Sequence, residues 1–280
     1  MHRDSGRGPM STWQRFNELA DRGASEFVGF DPETFMFEAM RGPQLSSLPP
    51  KDWLVNGVIS RNGLSVIYGP PGAGKSFLLM DMMACICRGE PWFAHGTQQA
   101  PAIYIAFEGI DGYGQRAAAY EKYHGRPLPN NFAMLSRKSG RERWNVDNQN
   151  HRLALAEWAH KEGLNGGITC LDTLSRATGD FDENSSRDMG KVIESCDHLR
   201  ELIGGNVSLV HHSGKGGDVR GSSALRGAWD DGIKISYDRE NRIRAWSPDK
   251  IKDGPDDSNN QFTLKVIWSG LVSSCVVEKP

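Results

Sequence analysis

No stretch of this 280-residue sequence stays apolar for the roughly 20 residues that a helical membrane span requires. The first thirty residues also lack the hydrophobic core of a secretory signal, so the expectation is a soluble chain with no membrane partner. Charge of one sign is missing too: 33 Lys and Arg stand against 35 Asp and Glu, a formal net charge of -2. That balance excludes the global basic field of a nucleic-acid packaging protein and confines any nucleic-acid contact to a local patch. Cysteines are few and odd in number, at Cys85, Cys87, Cys170, Cys196 and Cys275. Cys85-x-Cys87 is too tight for a zinc knuckle, and most of the five fall inside apolar patterns. Buried thiols in a reducing cytosol are predicted, rather than disulfides or a metal site. There is no internal repeat and no long low-complexity tract, which excludes a solenoid.

What is present is one highly specific loop. Gly69-Pro70-Pro71-Gly72-Ala73-Gly74-Lys75-Ser76 fits the phosphate-binding pattern G-x-x-x-x-G-K-[ST]. Its glycines let the backbone curl with N–H groups pointing inward, and the helix that follows adds its positive dipole end. Lys75 would reach the β- and γ-phosphates, and the Ser76 hydroxyl would take one position on Mg²⁺. The context fits as well. Leu64 to Tyr68 reads as a buried strand, and Phe77, Leu78, Met80, Asp81, Met82 and Met83 continue as a helix. Residues 69 to 77, ending on Phe77, are therefore expected to bind a nucleoside triphosphate with magnesium.

The length allows one large α/β domain with a short appendage. Residues 1–50 are polar and read as an N-terminal arm, with one amphipathic helix from Ser11 to Asp21 carrying Trp13, Phe16 and Leu19. That helix would pack on its own domain or dock on a neighbouring subunit. Over 51–280, strands at 64–68, 102–107, 132–136, 168–172 and 207–211 alternate with helices. This predicts a mostly parallel central sheet with helices on both faces. The clearest helix carries Met189, Val192, Ile193, Cys196, Leu199 and Ile203 behind the capping candidates Ser185 and Ser186. After Ile233 the pattern alternates, which predicts antiparallel strands at 233–237, 243–246, 262–268 and 271–277 that extend the sheet edge, with a tight hairpin at Ser269-Gly270.

Three strands end in polar groups. Ile168-Thr169-Cys170-Leu171-Asp172 delivers a carboxylate suited to the magnesium shell opposite Ser76, although an Asp at a strand end otherwise serves as a cap. The strand from Ala102 to Phe107 delivers Glu108, a candidate base for the attacking water. The strand Val207 to Val210 ends in His211-His212, a pair placed to sense the γ-phosphate. Adjacent strand residues point to opposite faces, so the two histidines are poorly arranged to chelate one metal ion.

Together the phosphate loop, Glu108, Asp172-Thr173 and His211-His212-Ser213-Gly214-Lys215 resemble RecA-like ATPases, specifically hexameric helicases of the RepA type and their phage relatives. Asp182 to Met189, Arg220 to Gly227 and Trp53-Leu54-Val55 look like further blocks of that group. The resemblance covers about residues 50–280. It implies a RecA-like core assembled into a hexameric ring, with ATP and Mg²⁺ at subunit interfaces and single-stranded DNA in the channel. It also implies a cytoplasmic setting in a bacterial or phage-infected cell. Phosphoryl transfer benefits from a cation supplied by a neighbour, for which Arg220, Arg226, Lys250 and Lys252 are the candidates. Lys252 stands where arginine is commoner, and a lysine lacks the planar fork, which favours Arg220 or Arg226. The loops 175–187 and 213–223 would face DNA, through Arg176 in the first and Lys215 and Arg220 in the second. A replicative or repair helicase is the leading expectation. The alternatives are a recombination or repair ATPase that coats or remodels DNA without unwinding it, and a nucleotide-gated regulatory assembly protein, against which Glu108 argues.

Overall fold

The computed structural model describes residues 40–136, 140, 142–214, 216–252, 254 and 258–280. The helix expected from Ser11 to Asp21 lies outside those residues, as does Lys215. Contacts divide the chain into two units, Met1–Pro50 and Lys51–Pro280. The described part of the first unit holds a short helix, α1 (Gly42–Ser46), with proline in its first turn and the Arg41 N–H bonded to Gln44 Oε1 at 2.8 Å.

In the second unit a short antiparallel pair, β1 (Trp53–Val55) and β2 (Ile59–Ser60), leads into β3 (Gly63–Gly69) and α2 (Lys75–Arg88). Next come β4 (Ala102–Ala106), α3 (Tyr113–His124), β5 (Phe132–Ser136), α4 (Gln149–Lys161) and β6 (Ile168–Asp172). They are followed by the single turn α5 (Leu174–Ala177), α6 (Ser186–Ile203), β7 (Asn206–His212) and α7 (Ser223–Ala228). The chain closes with β8 (Asp231–Asp238), β9 (Ile243–Ile251), β10 (Asn260–Ser269) and β11 (Val272–Glu278). Nine strands join in the order β11-β10-β9-β8-β3-β7-β6-β4-β5. Every pair from β8 through to β5 is parallel, and the three pairs from β8 out to β11 are antiparallel. This is the α/β fold the sequence predicts, antiparallel extension included. Among the described residues no helix is long and apolar enough to cross a membrane.

Side-chain alternation builds a core on each face of the sheet. On one face Ile67, Tyr104, Cys170 and Val210 pack under Leu78, Leu79, Met82 and Ile86 of α2. On the other, Leu64, Val66, Ile103, Leu171 and Leu209 pack against Leu155 and Ala159 of α4 and Met189, Val192, Cys196 and Leu199 of α6. Ser185 caps α6 as expected, its hydroxyl accepting from the Asp188 N–H at 3.2 Å. Four of the cysteines are buried and all five are unpaired, in keeping with inert packing thiols.

Element bounds differ from expectation where local signals mislead. β9 runs on through Pro248 to Ile251, because at that point it pairs only with β8, across a bulge between Asp231 and Ile233. A proline lacks an N–H and is tolerated where no second neighbour asks for one. The terminal hairpin turns at Gly270-Leu271, one residue later than expected, with Ser269 opposite Val272 and Gly270 at φ 64. No local sequence pattern marks the β1–β2 pair or the Asp231 carboxylate. Asp231 is fully buried and accepts from the Ser60 N–H at 2.8 Å and from the Ser60 hydroxyl, which ties β2 to β8.

The antiparallel extension is held to the parallel core by Trp246 of β9, which is fully buried and stacks on Trp92 with ring centroids 4.4 Å apart. Trp246→Ala should lower unfolding free energy by about 3–5 kcal/mol, with Trp246→Phe costing less, as read from urea denaturation.

Candidate nucleotide site

The sheet register brings the strand ends into line: Gly69 stands opposite His212, and Ala106 opposite Asp172. Beyond Gly69 the chain leaves the sheet and turns into α2 through Gly72 and Gly74, at φ 78 and 91. Only glycine adopts such angles without strain. At Gly74 space is also short, since a Cβ would lie 3.1 Å from Leu264 Cδ1 of β10. The Lys75 ammonium rests on the carbonyls of Gly69 and Pro70 at 2.9 and 3.1 Å, with His212 Nδ1 at 3.5 Å. Burial lowers the Lys75 pKa, opposed by the charge of Asp172. Those neutral acceptors are weaker partners for an ammonium than a phosphate oxygen would be.

Ser76 Oγ donates to Asp172 Oδ2 at 2.7 Å. Tyr104 OH donates to the same oxygen, and Tyr113 OH donates to Tyr104 OH at 3.3 Å. Burial first, and Asp172 next, keep Tyr104 protonated and so a donor. The peptide between Asp172 and Thr173 is cis. A hydroxyl and a carboxylate side by side are the hard oxygen donors that Mg²⁺ takes from protein when phosphate and water complete its shell. In keeping with so spare a donor set, no group of three or more His, Cys, Asp or Glu among the described residues could hold a metal ion.

Lys75, Ser76, Phe77, Glu108, Asp172 and His212 all line one cleft of about 360 Å³ with Pro71, Gly72 and Gly74 of the loop. Glu108 stands two residues beyond β4 and accepts from Arg176 Nε at 2.8 Å. His212 is kept neutral near pH 7 by burial and then by Lys75. Thus most of the expected nucleotide and metal residues converge.

His211 does not. Strand alternation sends it to the opposite face, where it is 1% exposed and its Nε2 bonds the Arg220 carbonyl at 2.9 Å. The expected histidine pair therefore contributes one member, His212, to this cleft. His211 lines a neighbouring cleft of about 360 Å³ with Glu183, Phe181 and Arg220. There Arg220 forms an ion pair with Glu183, whose backbone carbonyl also takes the Ser222 N–H at 2.8 Å. The other cations considered for action on a neighbour have partners within their own chain. Arg226 pairs with Asp249 at 2.9 Å, Lys250 Nζ bonds the carbonyls of Arg226 and Gly227 at 2.7 and 3.0 Å, and Lys252 pairs with Asp230 at 2.8 Å. Arg176, expected to face DNA, pairs with Glu108 at 2.8 Å within the chain.

Tyr113, Arg116 and Leu264 line the cleft and Tyr104 bonds Asp172, none of them expected from the sequence. Tyr104 left a signal, a phenol on the Asp172 face of an otherwise apolar strand. Arg116 left none: its guanidinium lies between the rings of Phe77 and Tyr113, 4.6 and 4.4 Å from their centroids, with Nη1 buried and unpartnered. Such a cation suits an anion or a planar base, and Leu264 offers an apolar wall to the same space.

Lys75→Ala should abolish binding of a fluorescent Mg²⁺-triphosphate analogue with little change in melting temperature. Acid should destabilise the fold through the histidines. The folded-state pKa values of His211 and His212 lie below the ordinary 6.5, in each case chiefly through burial. The unfolded chain therefore binds more protons as pH falls through that window, and the stability present above it is lost. Thermal unfolding between about pH 7 and pH 5 should show this fall, and His211→Asn should make it shallower.

A family profile described as an AAA domain matches residues 31–218. No curated protein sequence gives a significant match to the chain. Among solved structures, a KaiC-like protein from the hyperthermophilic archaeon Pyrococcus horikoshii OT3 superposes with a TM-score of 0.52, covering 80% of this chain and 93% of that one. At 15% identity that likeness speaks for the fold alone. Because the profile takes in the phosphate loop together with the strands that end in Glu108, Asp172 and His212, the chain belongs to the AAA-domain family of P-loop ATPases, on a RecA-like fold.

Proposed function

We propose that the chain is an ATP-dependent DNA motor, a replicative or repair helicase of the RepA type, working as a hexameric ring around single-stranded DNA. The observation that carries this reading is the convergence of Lys75, Ser76, Asp172, Glu108 and His212 in one cleft, next to two loops that leave the same sheet edge. Lys75 and the loop N–H groups would cradle the β- and γ-phosphates. Ser76 and Asp172 would hold Mg²⁺, which when bound offsets phosphate charge. Glu108 would orient and deprotonate the attacking water, and neutral His212, within reach of Lys75, would register the γ-phosphate.

The segments 175–187 and 213–223, which take in the α5 turn and the starts of α6 and α7, follow β6 and β7 closely, so a ligand on them could act on the cleft over a short path. Contacts there would be to the backbone of the strand, with marked salt dependence. Arg220 or Arg226 would serve a neighbouring subunit by exchanging Glu183 or Asp249 for the transition-state phosphoryl oxygens. Residues 1–50 would serve as an arm in assembly.

ATP turnover should rise with added single-stranded DNA, and an annealed oligonucleotide should be displaced in an ATP-dependent way. Glu108→Gln should keep triphosphate binding while turnover falls by a factor of about 10²–10⁴. Particle mass measured with a non-hydrolysable analogue should be that of a closed ring. Turnover indifferent to DNA, with no strand displacement, would sink the helicase.

A further inference from the structure

We propose that the second cleft, which His211 lines with Phe181, Glu183 and Arg220, receives an unpaired nucleobase of the single strand. The inference rests on the reading of the chain as a motor on single-stranded DNA, and it adds a contact to the bases beyond the phosphate contacts of that reading. The cleft holds about 360 Å³, within the range of pockets that enclose small planar ligands. Part of its wall is apolar, from the buried side chains of Leu174, Met189 and Val192. The half-buried ring of Phe181 supplies a face on which a base can stack.

A buried acceptor without a donor indicates what the ligand must carry. His211 is 1% exposed, and its Nε2 faces the Arg220 carbonyl at 2.9 Å, so that nitrogen bears the proton. Burial lowers the pKa of the ring and keeps it neutral near pH 7. Nδ1 is then a bare acceptor, and it lies buried with no hydrogen-bond partner. The polar side chains around the cleft are engaged elsewhere. Thr178 Oγ1 donates to the Leu174 carbonyl at 3.1 Å, Ser175 Oγ shares a bond with Thr173 Oγ1 at 3.2 Å, Asn184 Nδ2 donates to Asp182 Oδ1 at 3.1 Å, and Arg220 pairs with Glu183. A buried nitrogen left in this state costs stability that a ligand N–H would recover.

These features fit a base better than a backbone. Adenine, cytosine and guanine each carry an amino group that can donate to Nδ1, whereas thymine offers one imino N–H set between two carbonyl acceptors. An apolar wall and an aromatic face have no counterpart on a phosphate. Arg220 supplies the charge for the phosphate of the same nucleotide, which leaves Arg226 for the neighbouring subunit. Once Arg220 exchanges Glu183 for that phosphate, the carboxylate becomes a second acceptor for the amino-bearing edge of the base. His212 lines this cleft as well as the nucleotide's, so base and triphosphate would meet at one strand end.

The test measures binding by fluorescence anisotropy, with the nucleotide cleft filled by a non-hydrolysable ATP analogue. Labelled oligo-dA, oligo-dT and an abasic strand with the same number of phosphates are compared on wild-type protein. The abasic strand should bind at least about five-fold more weakly than oligo-dA, the lower end of what one stacked base contributes, with oligo-dT between them. Phe181→Ala should bring oligo-dA down to the affinity of the abasic strand and leave abasic binding unchanged, which also reports that the variant is folded. Free dAMP should compete only far above the concentration at which oligo-dA binds. If it competes equally well, the pocket belongs to a soluble nucleotide and its assignment to the strand falls. If oligo-dA and the abasic strand bind wild type alike, or Phe181→Ala leaves oligo-dA binding intact, the base pocket is wrong and the motor reading stands on its phosphate contacts. If no strand binds at all, the motor reading fails and the pocket with it.

Discussion

β3 is buried along its whole length between β7 and β8, and that confinement fixes where the rest of the chemistry can sit. A strand paired on both edges and covered on both faces has its backbone groups taken up and leaves no room for a ligand until it ends. The first place where free N–H groups and space coincide is the turn after Gly69. Parallel pairing then brings the ends of β4, β6 and β7 to the same edge, so polar residues that would be costly inside the sheet gather where water and phosphate can meet them.

Alternation along those strands sorts the gathered groups. Tyr104, Asp172 and His212 fall on the α2 face and share one hydrogen-bonded and electrostatic neighbourhood with Ser76 and Lys75. His211 falls on the other face and joins Glu183 and the Arg220 carbonyl. A pair of histidines adjacent in sequence thus serves two clefts, and His212, which lines both, couples them by position.

Electrostatics adds a second layer of order. Arg220, Arg226, Lys252 and Arg176 each face a carboxylate in the same chain, so the cations best suited to nucleotide or DNA are already paired. Only the Arg176–Glu108 pair is exposed on both sides, where such pairs contribute little to stability; the carboxylates of the other three are half-buried. Arg116 differs: two aromatic rings hold it, and its buried Nη1 is unpartnered, which leaves it ready for a partner that arrives in the cleft.

The sequence alone determined the phosphate loop, the five parallel strands that surround it and the antiparallel edge. These depend on local rules: glycines where φ must be positive, period-two burial, and a helix opening directly after the loop. It also delivered Glu108 and Asp172, because each follows an apolar strand and strand ends reveal themselves in composition. Tertiary structure alone decided the rest. Leu264 reaches the loop from a strand nearly two hundred residues downstream, Asp231 answers Ser60, and Glu108 finds Arg176, all through register and sheet order, which no local pattern encodes. Which histidine faces the nucleotide follows from the phase of alternation, and that phase is set only when β7 takes its place beside β3.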